Sequence, residues 1–356
     1  MPHSFDAVLL LSFGGPEQPD DVVPFLRNVT RGRNIPEARL AQVAKQYELF
    51  GGRSPINDQC RSMMTALSEE LEDRGVPLPL YWGNRNWHPY LSDTLAEMHA
   101  DGVTNALVYV TSIFGSYSGC RQYQEEMEAA RALLPDAPEL HKLRLFYNHP
   151  GFIAAQAAQL DDAIGSSGLV DPDDRDPGGT SPTVVLFCAH SLPTSQAAHC
   201  QYEAQLANAA ALVMDHSQLA GRPGVRHEIV YQSRSGPPSM PWLEPDINDR
   251  LEELAAGDTS QRVIVVPIGF VSDNAEVMFD LDVQATATAE RLGLPFLRVP
   301  TVGTHPRFVA GIADLIDERL DSRRPRLALG SDPAWPDICP AGHCLSPTPQ
   351  TGHRPR

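Results

Sequence analysis

The sequence predicts an α/β protein made of two successive units, each with a mostly parallel sheet flanked by helices. Short apolar runs typical of buried strands, such as residues 7–12 and 105–111, alternate with segments of helical periodicity along most of the chain. This alternation implies parallel strands joined by helices. The pattern begins again after residue 115, with further apolar runs at residues 183–188 and 262–267. A chain of 356 residues is also long enough for two ordinary domains.

The first unit is predicted to contain three strands and four helices. Residues 7–12 form a buried strand that enters a loop at Phe13-Gly14-Gly15-Pro16, as at the beginning of many α/β domains. The other two strands are predicted at residues 80–82 and 105–111. Helices are predicted at residues 20–28, 38–50, 58–74 and 91–101.

The second unit repeats the alternation around an exposed loop at residues 165–182, which is rich in Gly, Ser, Asp and Pro. Its strands are predicted at residues 143–147, 183–188, 228–232, 262–267 and 296–299. Its helices are predicted at residues 117–134, 150–164, 195–215, 247–256 and 276–292, and a last helix at residues 306–320 closes the fold. We predict a first domain of residues 1–115 with 305–325, a second domain of residues 116–304, and a poorly ordered tail at residues 326–356.

Composition and charge exclude several classes of function. Apolar residues make up 42% and charged residues 21%, as in globular proteins. The net charge of -17 argues against binding to nucleic acid. No apolar run is long enough to cross a membrane and the first residues lack a secretory signal, so we expect a cytoplasmic protein without a transmembrane segment. The 6 scattered cysteines favour reduced thiols over a disulfide framework, and we expect a monomer.

A histidine stands at the end of the strand predicted at residues 183–188, in Ala189-His190-Ser191-Leu192-Pro193. The carboxyl ends of parallel strands are where open α/β sheets bind ligands. A neutral imidazole can accept a proton or bind a metal, because its ordinary pKa lies near neutrality. A structural histidine that ends the strand is the alternative reading.

Acidic residues follow the strand predicted at residues 262–267. Asp273, Glu276 and Asp280 are spaced i, i+3 and i+7, which would place them on one face of a helix. Such a stripe is either a solvated surface or a conduit for divalent cations or protons. The spacing alone does not separate these two readings.

Taken together, these two segments resemble the catalytic motifs of the ferrochelatase family, whose members insert ferrous iron into a porphyrin. Ala189–Pro193 is similar to the family's histidine motif, and Gly269-Phe270-Val271 with Glu276-Val277 is similar to the second. Ordered matches extend over about residues 6–320 and include Ser12–Pro16, Gly51–Pro55, Tyr81–Arg85 and Trp242–Asp246. The resemblance implies two Rossmann-like domains with a porphyrin cleft between them.

The resemblance also implies roles for the residues of the two motifs. His190 would accept pyrrole protons or hold the metal, and Glu276 opposite would act as a second ligand or proton acceptor. Asp273 and Asp280 would then relay protons or cations to solvent. Fe²⁺ enters as a substrate, and no step needs an electron.

Further residues are implied as porphyrin contacts. Ser54 and Tyr123 fall where the family places such contacts, and Phe13 occupies a position where some members carry a tyrosine that can approach the metal. A phenyl ring cannot coordinate, so that role is absent here. The remaining candidates are Arg31, Arg33 and Arg53 for the propionates, and Ile113, Phe114 and Trp242 with Phe13 for an apolar slot.

Within the family the chain resembles the actinobacterial branch, which converts coproporphyrin III to an iron coproporphyrin that a separate decarboxylase then uses. Protoporphyrin IX as the substrate, a small cobalt or nickel chelatase, and a porphyrin or haem carrier without turnover are the alternatives.

Some relatives also hold a 2Fe-2S cluster, and Cys339 with Cys344 resembles half of such a site. Four thiolates are the normal requirement, and the helix predicted at residues 150–164 supplies none. Completion would depend on Cys200, His343 or His353. The sequence therefore favours a tail without a cluster and leaves a bound cluster as the alternative.

Overall fold

The computed structural model describes residues 5–32, 35–169, 182–235 and 239–345, and within them the chain contains two four-stranded parallel sheets. The strand order is β2-β1-β3-β4 in the first sheet and β6-β5-β7-β8 in the second. The first sheet consists of β1 Ala7–Ser12, β2 Leu80–Asn84, β3 Asn105–Val110 and β4 Glu139–Lys142. The second consists of β5 Thr183–His190, β6 Val225–Gln232, β7 Arg262–Val266 and β8 Phe296–Arg298.

Helices connect the strands and cover both faces of each sheet. Those up to β4 are α1 Pro19–Val29, α2 Glu37–Glu48, α3 Ile56–Asp73, α4 Leu91–Ala100 and α5 Gln122–Arg131. Those after β4 are α6 Pro150–Ser167, α7 Thr194–Ala197, α8 Tyr202–His216, α9 Ile247–Gly257, α10 Ala275–Val277, α11 Thr286–Leu292 and α12 Pro306–Leu320. Two π-helical segments interrupt this pattern: Tyr117–Arg121 leads into α5, and Met278–Ala285 joins α10 to α11.

The apolar strand sequences follow from burial on two sides. Leu10 in β1 and Phe187 in β5 belong to one large core that also contains residues of α3, α6, α8 and α12. The alternate residues face outward helices instead: Leu9 packs in a cluster with residues of α4 and α5, and Leu186 with residues of α9 and α11. Strands buried on both faces have no polar alternation, so they appear in the sequence as continuous apolar runs.

The helix α12 packs against both halves of the molecule. It contacts α3 before β4 and α6 after it. A close backbone approach makes the second contact possible, because a Cβ at Gly151 would lie 2.5 Å from the carbonyl oxygen of Arg307. The assignment of residues 305–325 to the first domain therefore stays a prediction, because α12 packs against α6 as well as against α3.

The prediction of a strand at residues 143–147 is wrong. The fourth strand of the first sheet is Glu139–Lys142, and it pairs only with β3. Its sequence Glu-Leu-His-Lys is polar because an edge strand is partly exposed. The apolar residues that follow it enter the core, where Leu145 is 2% and Phe146 is 2% exposed, without pairing as a strand.

The composition predicts a poorly ordered tail from residue 326, whereas residues 326–345 pack against the second half. The N–H of Leu329 donates to the carbonyl of Asn148 at 2.8 Å, and the Asn148 amide donates to the carbonyl of Asp332 at 3.0 Å. Arg33, His353 and most of the loop predicted at residues 165–182 lie outside the described residues. None of the helices in the described ranges is long and apolar enough to span a membrane.

Candidate active site

His190 ends β5, the strand that lies between β6 and β7, and every earlier residue of that strand is buried. Its Nδ1 lies 2.5 Å from the carbonyl oxygen of Ser191, so Nδ1 carries the proton and donates it to that carbonyl. The lone pair of the neutral ring is then on Nε2. Because the side chain is 36% exposed, Nε2 is accessible to a substrate at the end of the sheet.

Glu276 faces this nitrogen, with its Oε1 at 3.9 Å from the His190 Nε2. It lies in the first turn of α10, which follows β7 by a loop. Asn274 caps the helix, because its Oδ1 accepts hydrogen bonds from the N–H groups of Glu276 at 2.9 Å and Val277 at 3.0 Å. The Glu276 side chain is 53% exposed, so the pair His190–Glu276 is open to solvent.

The glycine of the second motif lets the loop after β7 cross the strand that carries His190. The N–H of Gly269 donates to the carbonyl of Cys188 at 3.1 Å. A Cβ at Gly269 would lie 2.7 Å from the Cβ of Ala189 and 2.8 Å from its Cα. Only glycine permits this approach without a shift of the loop, and the approach brings Glu276 to the side of His190.

Asp280 lies four residues after Glu276 in the π-helical segment. Its Oδ2 accepts hydrogen bonds from the Ser233 hydroxyl and, at 3.2 Å, from the amide of Gln232. Burial, and after it the nearby Glu276 carboxylate, raise the pKa of Asp280 to about 7, against the lowering effect of the Ser233 hydrogen bond. This carboxyl can therefore gain and lose a proton near neutral pH.

Asp273 does not share a helical face with the other two acids, because α10 begins only at Ala275. Its carboxylate forms an ion pair with Arg298 at the end of β8, and Arg298 also contacts Asp282 at 3.1 Å. The charge of Asp273 is thus already matched. The sequence analysis missed Arg298, for which the only signal was a lone arginine at the end of the last strand.

The first half of the molecule holds the start of α10. The Ser54 hydroxyl accepts a hydrogen bond from the N–H of Ala275 at 3.3 Å, and the Gln59 side chain accepts one from the N–H of Asp273 at 2.9 Å. Burial, and after it the Glu276 carboxylate, raise the pKa of Tyr47 in α2. The charge of Glu276 therefore acts on Tyr47 as well as on His190.

Tyr123 and Phe13 meet around Arg85, a residue that the sequence analysis quoted only as part of a motif. The guanidinium carbon of Arg85 lies 4.6 Å from the centre of the Tyr123 ring and 5.8 Å from that of Phe13. The Arg85 side chain is 5% exposed and its nearest acid is Glu126 at 3.9 Å. Within the described chain, its Nε is buried without a hydrogen-bond partner.

The other predicted porphyrin contacts are divided between surface and core. Arg31 is exposed and donates to the Asn28 side chain at 2.8 Å, and half-exposed Arg53 pairs with Asp58 at 2.5 Å. Trp242 is 9% exposed and its indole N–H is buried without a partner among the described residues. Ile113 and Phe114 belong to the large core and are 1% and 2% exposed, so neither lines an open slot.

The structure brings four cysteines to one place, and none of them belongs to the helix α6. Cys120 in the first π-helical segment is 3.9 Å from Cys339, measured between the sulfurs. Cys344 is buried beside Cys120, and Cys200 packs against the same group. Among the described residues, no three or more His, Cys, Asp or Glu side chains converge on a point that could hold a single metal ion.

Comparison with known proteins gives a consistent result. The family model described as Ferrochelatase matches residues 5–320. A protein from Frankia alni named coproporphyrin III ferrochelatase is 50% identical over 99% of this chain and 89% of its own. One of the same name from Streptomyces coelicolor is 48% identical over 97% and 95%, and a ferrochelatase from Rhodopirellula baltica is 46% identical over 96% and 93%. Among solved structures, SirB from Bacillus subtilis with Fe³⁺ has a TM-score of 0.52 at 12% identity over 90% of this chain and 98% of its own, a likeness of fold.

Proposed function

Because the chain belongs to the ferrochelatase family, we propose that it inserts Fe²⁺ into coproporphyrin III to give iron coproporphyrin III in haem biosynthesis. The observation that carries the chemistry is the free Nε2 of His190 opposite the Glu276 carboxylate at 3.9 Å. The substrate is proposed from the relatives, several of which bear the name coproporphyrin III ferrochelatase.

The proposed reaction moves protons and no electrons. Fe²⁺ replaces the two pyrrole N–H protons of the macrocycle, so two protons must leave the site while the iron keeps its charge. We propose that the Nε2 of His190 accepts a pyrrole proton, since Nδ1 is held as a donor by the Ser191 carbonyl. Glu276 stabilises the imidazolium that results, or holds the incoming iron together with His190.

Asp280 is the proposed next acceptor on the way to solvent. Its pKa of about 7 allows it to take a proton from the Glu276 side and release it at neutral pH. Asp273 was predicted as a member of the same relay, but its pairing with Arg298 favours a positioning role. It would hold the loop before α10 against β8.

The proposed porphyrin contacts come from the first half of the molecule. Phe13 is partly exposed and offers an apolar ring, while Arg31 and Arg53 offer cations to propionates. Ser54 and Tyr123 are both 4% exposed, so we propose that they shape the wall of the cleft behind these groups. Four propionates, as in coproporphyrin III, would engage cations at more than one edge.

Location and partners follow as parts of the same proposal. The 6 cysteines are free thiols, which favours a reducing compartment, and we place the enzyme in the cytoplasm as a monomer. The product, an iron porphyrin with four propionates, would be handed to a decarboxylase.

The proposal is tested by anaerobic metallation of coproporphyrin III with Fe²⁺, followed as the loss of free-porphyrin fluorescence. We expect His190→Ala to lower the rate by at least roughly 100-fold, because a positioned general base contributes about that much. Porphyrin binding, measured by fluorescence quenching or polarisation, should persist in this variant. His216→Ala in the exposed last turn of α8 is the matched control and should retain the wild-type rate.

Other results would change the assignment. A wild-type protein that binds coproporphyrin III without metallating it would be a carrier, and the enzyme proposal would be withdrawn. Faster turnover of protoporphyrin IX than of coproporphyrin III would correct the substrate. An unchanged rate in His190→Ala would remove His190 from the mechanism.

A further inference from the structure

We infer that Gln232 is a positioning residue that joins His190 to Asp280, with its backbone carbonyl directed to the histidine segment and its side-chain amide to the aspartate. Gln232 is the last residue of β6 and lies opposite His190 in the parallel pairing of β5 with β6. It is 1% exposed, so it is too deeply buried to contact a porphyrin. The inference rests on the proposed metallation, because it concerns how Asp280 is held while it takes a proton.

The backbone of Gln232 supports the peptide that fixes the imidazole of His190. The Gln232 carbonyl accepts a hydrogen bond from the N–H of Ser191 at 2.8 Å. Ser191 is 2% exposed and its hydroxyl donates to the carbonyl of Leu243 at 2.9 Å, so it is held by two elements. The carbonyl of Ser191 in turn accepts from the Nδ1 of His190. The orientation of the imidazole thus depends on a peptide that β6 holds in place.

The side chain of Gln232 binds Asp280. Its amide nitrogen donates to the Oδ2 of Asp280 at 3.2 Å and to the Ser233 hydroxyl at 3.2 Å, and that hydroxyl donates to the same Oδ2. An oxygen that already accepts two hydrogen bonds is the poorer site for an added proton, so the proton is taken at Oδ1. The amide and the hydroxyl together therefore decide which oxygen of Asp280 exchanges protons.

A buried thiol sets which end of the amide faces Asp280. The fully buried Cys188 donates from its sulfur to the Oε1 of Gln232 at 3.3 Å. A reversed amide would turn its oxygen toward Asp280, whose ionised form only accepts hydrogen bonds. Cys188 must keep its proton to serve as this donor. Burial, and after it the charges of Asp280 and Asp246, raise the pKa of the Cys188 thiol well above its usual value, so the proton stays on sulfur at neutral pH.

The backbone of Ser233 is consistent with this arrangement. Its φ is 62°, in the left-handed region, directly after the end of β6. A residue with a side chain keeps such a conformation only where its surroundings require it, and such residues cluster at functional sites. The contacts that hold Ser233 are the hydrogen bonds from the Gln232 amide and to the Asp280 carboxylate. The turn thus brings both donors to one oxygen.

A second buried glutamine supplies a matched control. Gln261 is 8% exposed and precedes β7, at the end of the sheet opposite to His190. Its amide nitrogen donates to the carbonyls of Leu254 and Asp258 at 3.2 Å each, and its oxygen accepts from Arg226 at 2.9 Å. Gln261 is therefore as fully bonded as Gln232, but none of its partners belongs to the proposed proton path.

The first test compares Gln232→Leu with Gln261→Leu in the anaerobic metallation of coproporphyrin III by the full-length protein. We expect Gln232→Leu to lower kcat by about 10-fold to 100-fold, the usual range when the outer partner of a functional side chain is removed. The KM for the porphyrin should be unchanged, because Gln232 does not reach the substrate. Gln261→Leu should retain the wild-type kcat. Equal kcat values in the two leucine variants would overturn the inference.

The thiol gives a second test that needs no turnover. The infrared S–H stretching band of Cys188 is isolated as the difference between spectra recorded with and without Cys188→Ser. A hydrogen bond lowers the frequency of this band, so we expect the band to move to higher frequency in Gln232→Leu and to stay in place in Gln261→Leu. An unmoved band in Gln232→Leu would show that Gln232 is not the acceptor, and would overturn the assigned orientation of the amide.

Two further measurements separate positioning from damage to the fold. Cys188→Ser keeps a donor and should lose less of kcat than Cys188→Ala, which leaves the amide free to reverse; equal losses would remove the thiol from the arrangement. The imidazole nitrogen chemical shifts of His190 should be the same in Gln232→Leu as in the wild type, because the backbone carbonyl remains. A changed tautomer would attribute the loss of rate to a displaced strand and overturn the positioning role. A wild type without metallation would refute the proposed function, while the S–H band would still decide the role of the amide.

Discussion

Asp280 shows at the level of one residue how burial changes the chemistry of a side chain. A carboxylate in this position has lost much of its hydration and lies near a second carboxylate, Glu276. The hydrogen bond from the Ser233 hydroxyl stabilises the ionised carboxylate in part, but burial and Glu276 outweigh it and raise the pKa of Asp280 to about 7. An ordinary surface aspartate is already ionised well below neutral pH, so it could not exchange a proton at neutral pH.

This shift predicts a pH dependence of stability. The folded state binds the Asp280 proton more tightly than the unfolded state, so the contribution is fully present below pH 3.8 and is lost as the pH rises through about 7. We expect Asp280→Asn to remove this loss, so that its stability relative to the wild type increases between pH 5 and pH 8. Urea denaturation at several pH values measures the difference. A difference that is constant with pH would contradict the raised pKa.

His190 could be predicted from the sequence because it ends an apolar run that only a buried central strand explains. The position of Asp273 could not be predicted in the same way. The i, i+3, i+7 spacing places residues on one face only inside a helix, and α10 begins two residues after Asp273. Cys120 was missed for a different reason. Cys339 and Cys344 lie more than 200 residues further along the chain, and the sulfur-to-sulfur distance of 3.9 Å between Cys120 and Cys339 exists only after the tail has packed.

At the level of elements, the loop after β7 depends on its glycine. A methyl group at Gly269 would overlap the backbone and side chain of Ala189, so β5 and the loop would have to separate. We expect Gly269→Ala to destabilise the fold by about 1–3 kcal/mol, the usual cost of overpacking. The metallation rate should fall further than stability alone explains, because Glu276 would move away from His190.

Gly165→Ala supplies the control, since nothing lies within 4 Å of the added carbon in that exposed turn of α6. Alanine there should be neutral or stabilising by about 0.5–1 kcal/mol, as expected for a helix interior. Thermal unfolding and single-turnover metallation of both variants make the comparison. Equal behaviour of the two alanine variants would show that the crossing at Ala189 does not constrain the loop.

The cap of α10 is a second constraint on the same helix. Asn274 accepts two backbone hydrogen bonds, and its loss would leave the N–H groups of Glu276 and Val277 without that partner. We expect Asn274→Ala to cost about 0.5–2 kcal/mol and Asn274→Asp to cost less, because an aspartate caps equally well. Chemical denaturation distinguishes the two. A similar loss in both would point to the amide nitrogen of Asn274 and not to its oxygen.

The alternation of strands and helices was predictable because the central strands are buried on both faces and appear in the sequence as apolar runs. The two π-helical segments were not, because their wider turns follow from tertiary contacts and leave no periodic signal over five to eight residues. β4 escaped prediction because it is an edge strand of polar sequence. Elements were thus predictable where burial on both faces dictates composition, and unpredictable where neighbours decide the local geometry.

At the scale of the whole molecule, a charged network joins the two halves around α12. Arg74 of α3 bonds Asp314 at 2.7 Å and Asp317 at 2.9 Å. On the other side Arg144 forms a buried ion pair with Glu318 at 2.8 Å. Removal of one partner from the buried pair would leave a charge without compensation, which is far more costly than loss of a surface pair.

His149 lies inside this network and makes the association of the halves sensitive to acid. Its side chain is fully buried and its Nδ1 accepts the N–H of Gly151, which caps α6. Burial, and after it Arg144, lower the pKa of His149 to about 4, with Arg74 in the same direction and Asp314 and Glu318 opposing.

The unfolded state therefore binds the His149 proton more readily than the folded state. Stability should be undiminished above pH 6.5 and should decrease as the pH falls toward 4, by up to about 3 kcal/mol from this group. We expect His149→Asn, which preserves a capping oxygen, to be less stable than the wild type at pH 8 and to lose less stability on acidification. Urea denaturation between pH 8 and pH 5 checks this. Parallel curves for the two proteins would show that His149 is protonated in the fold and that the network tolerates its charge.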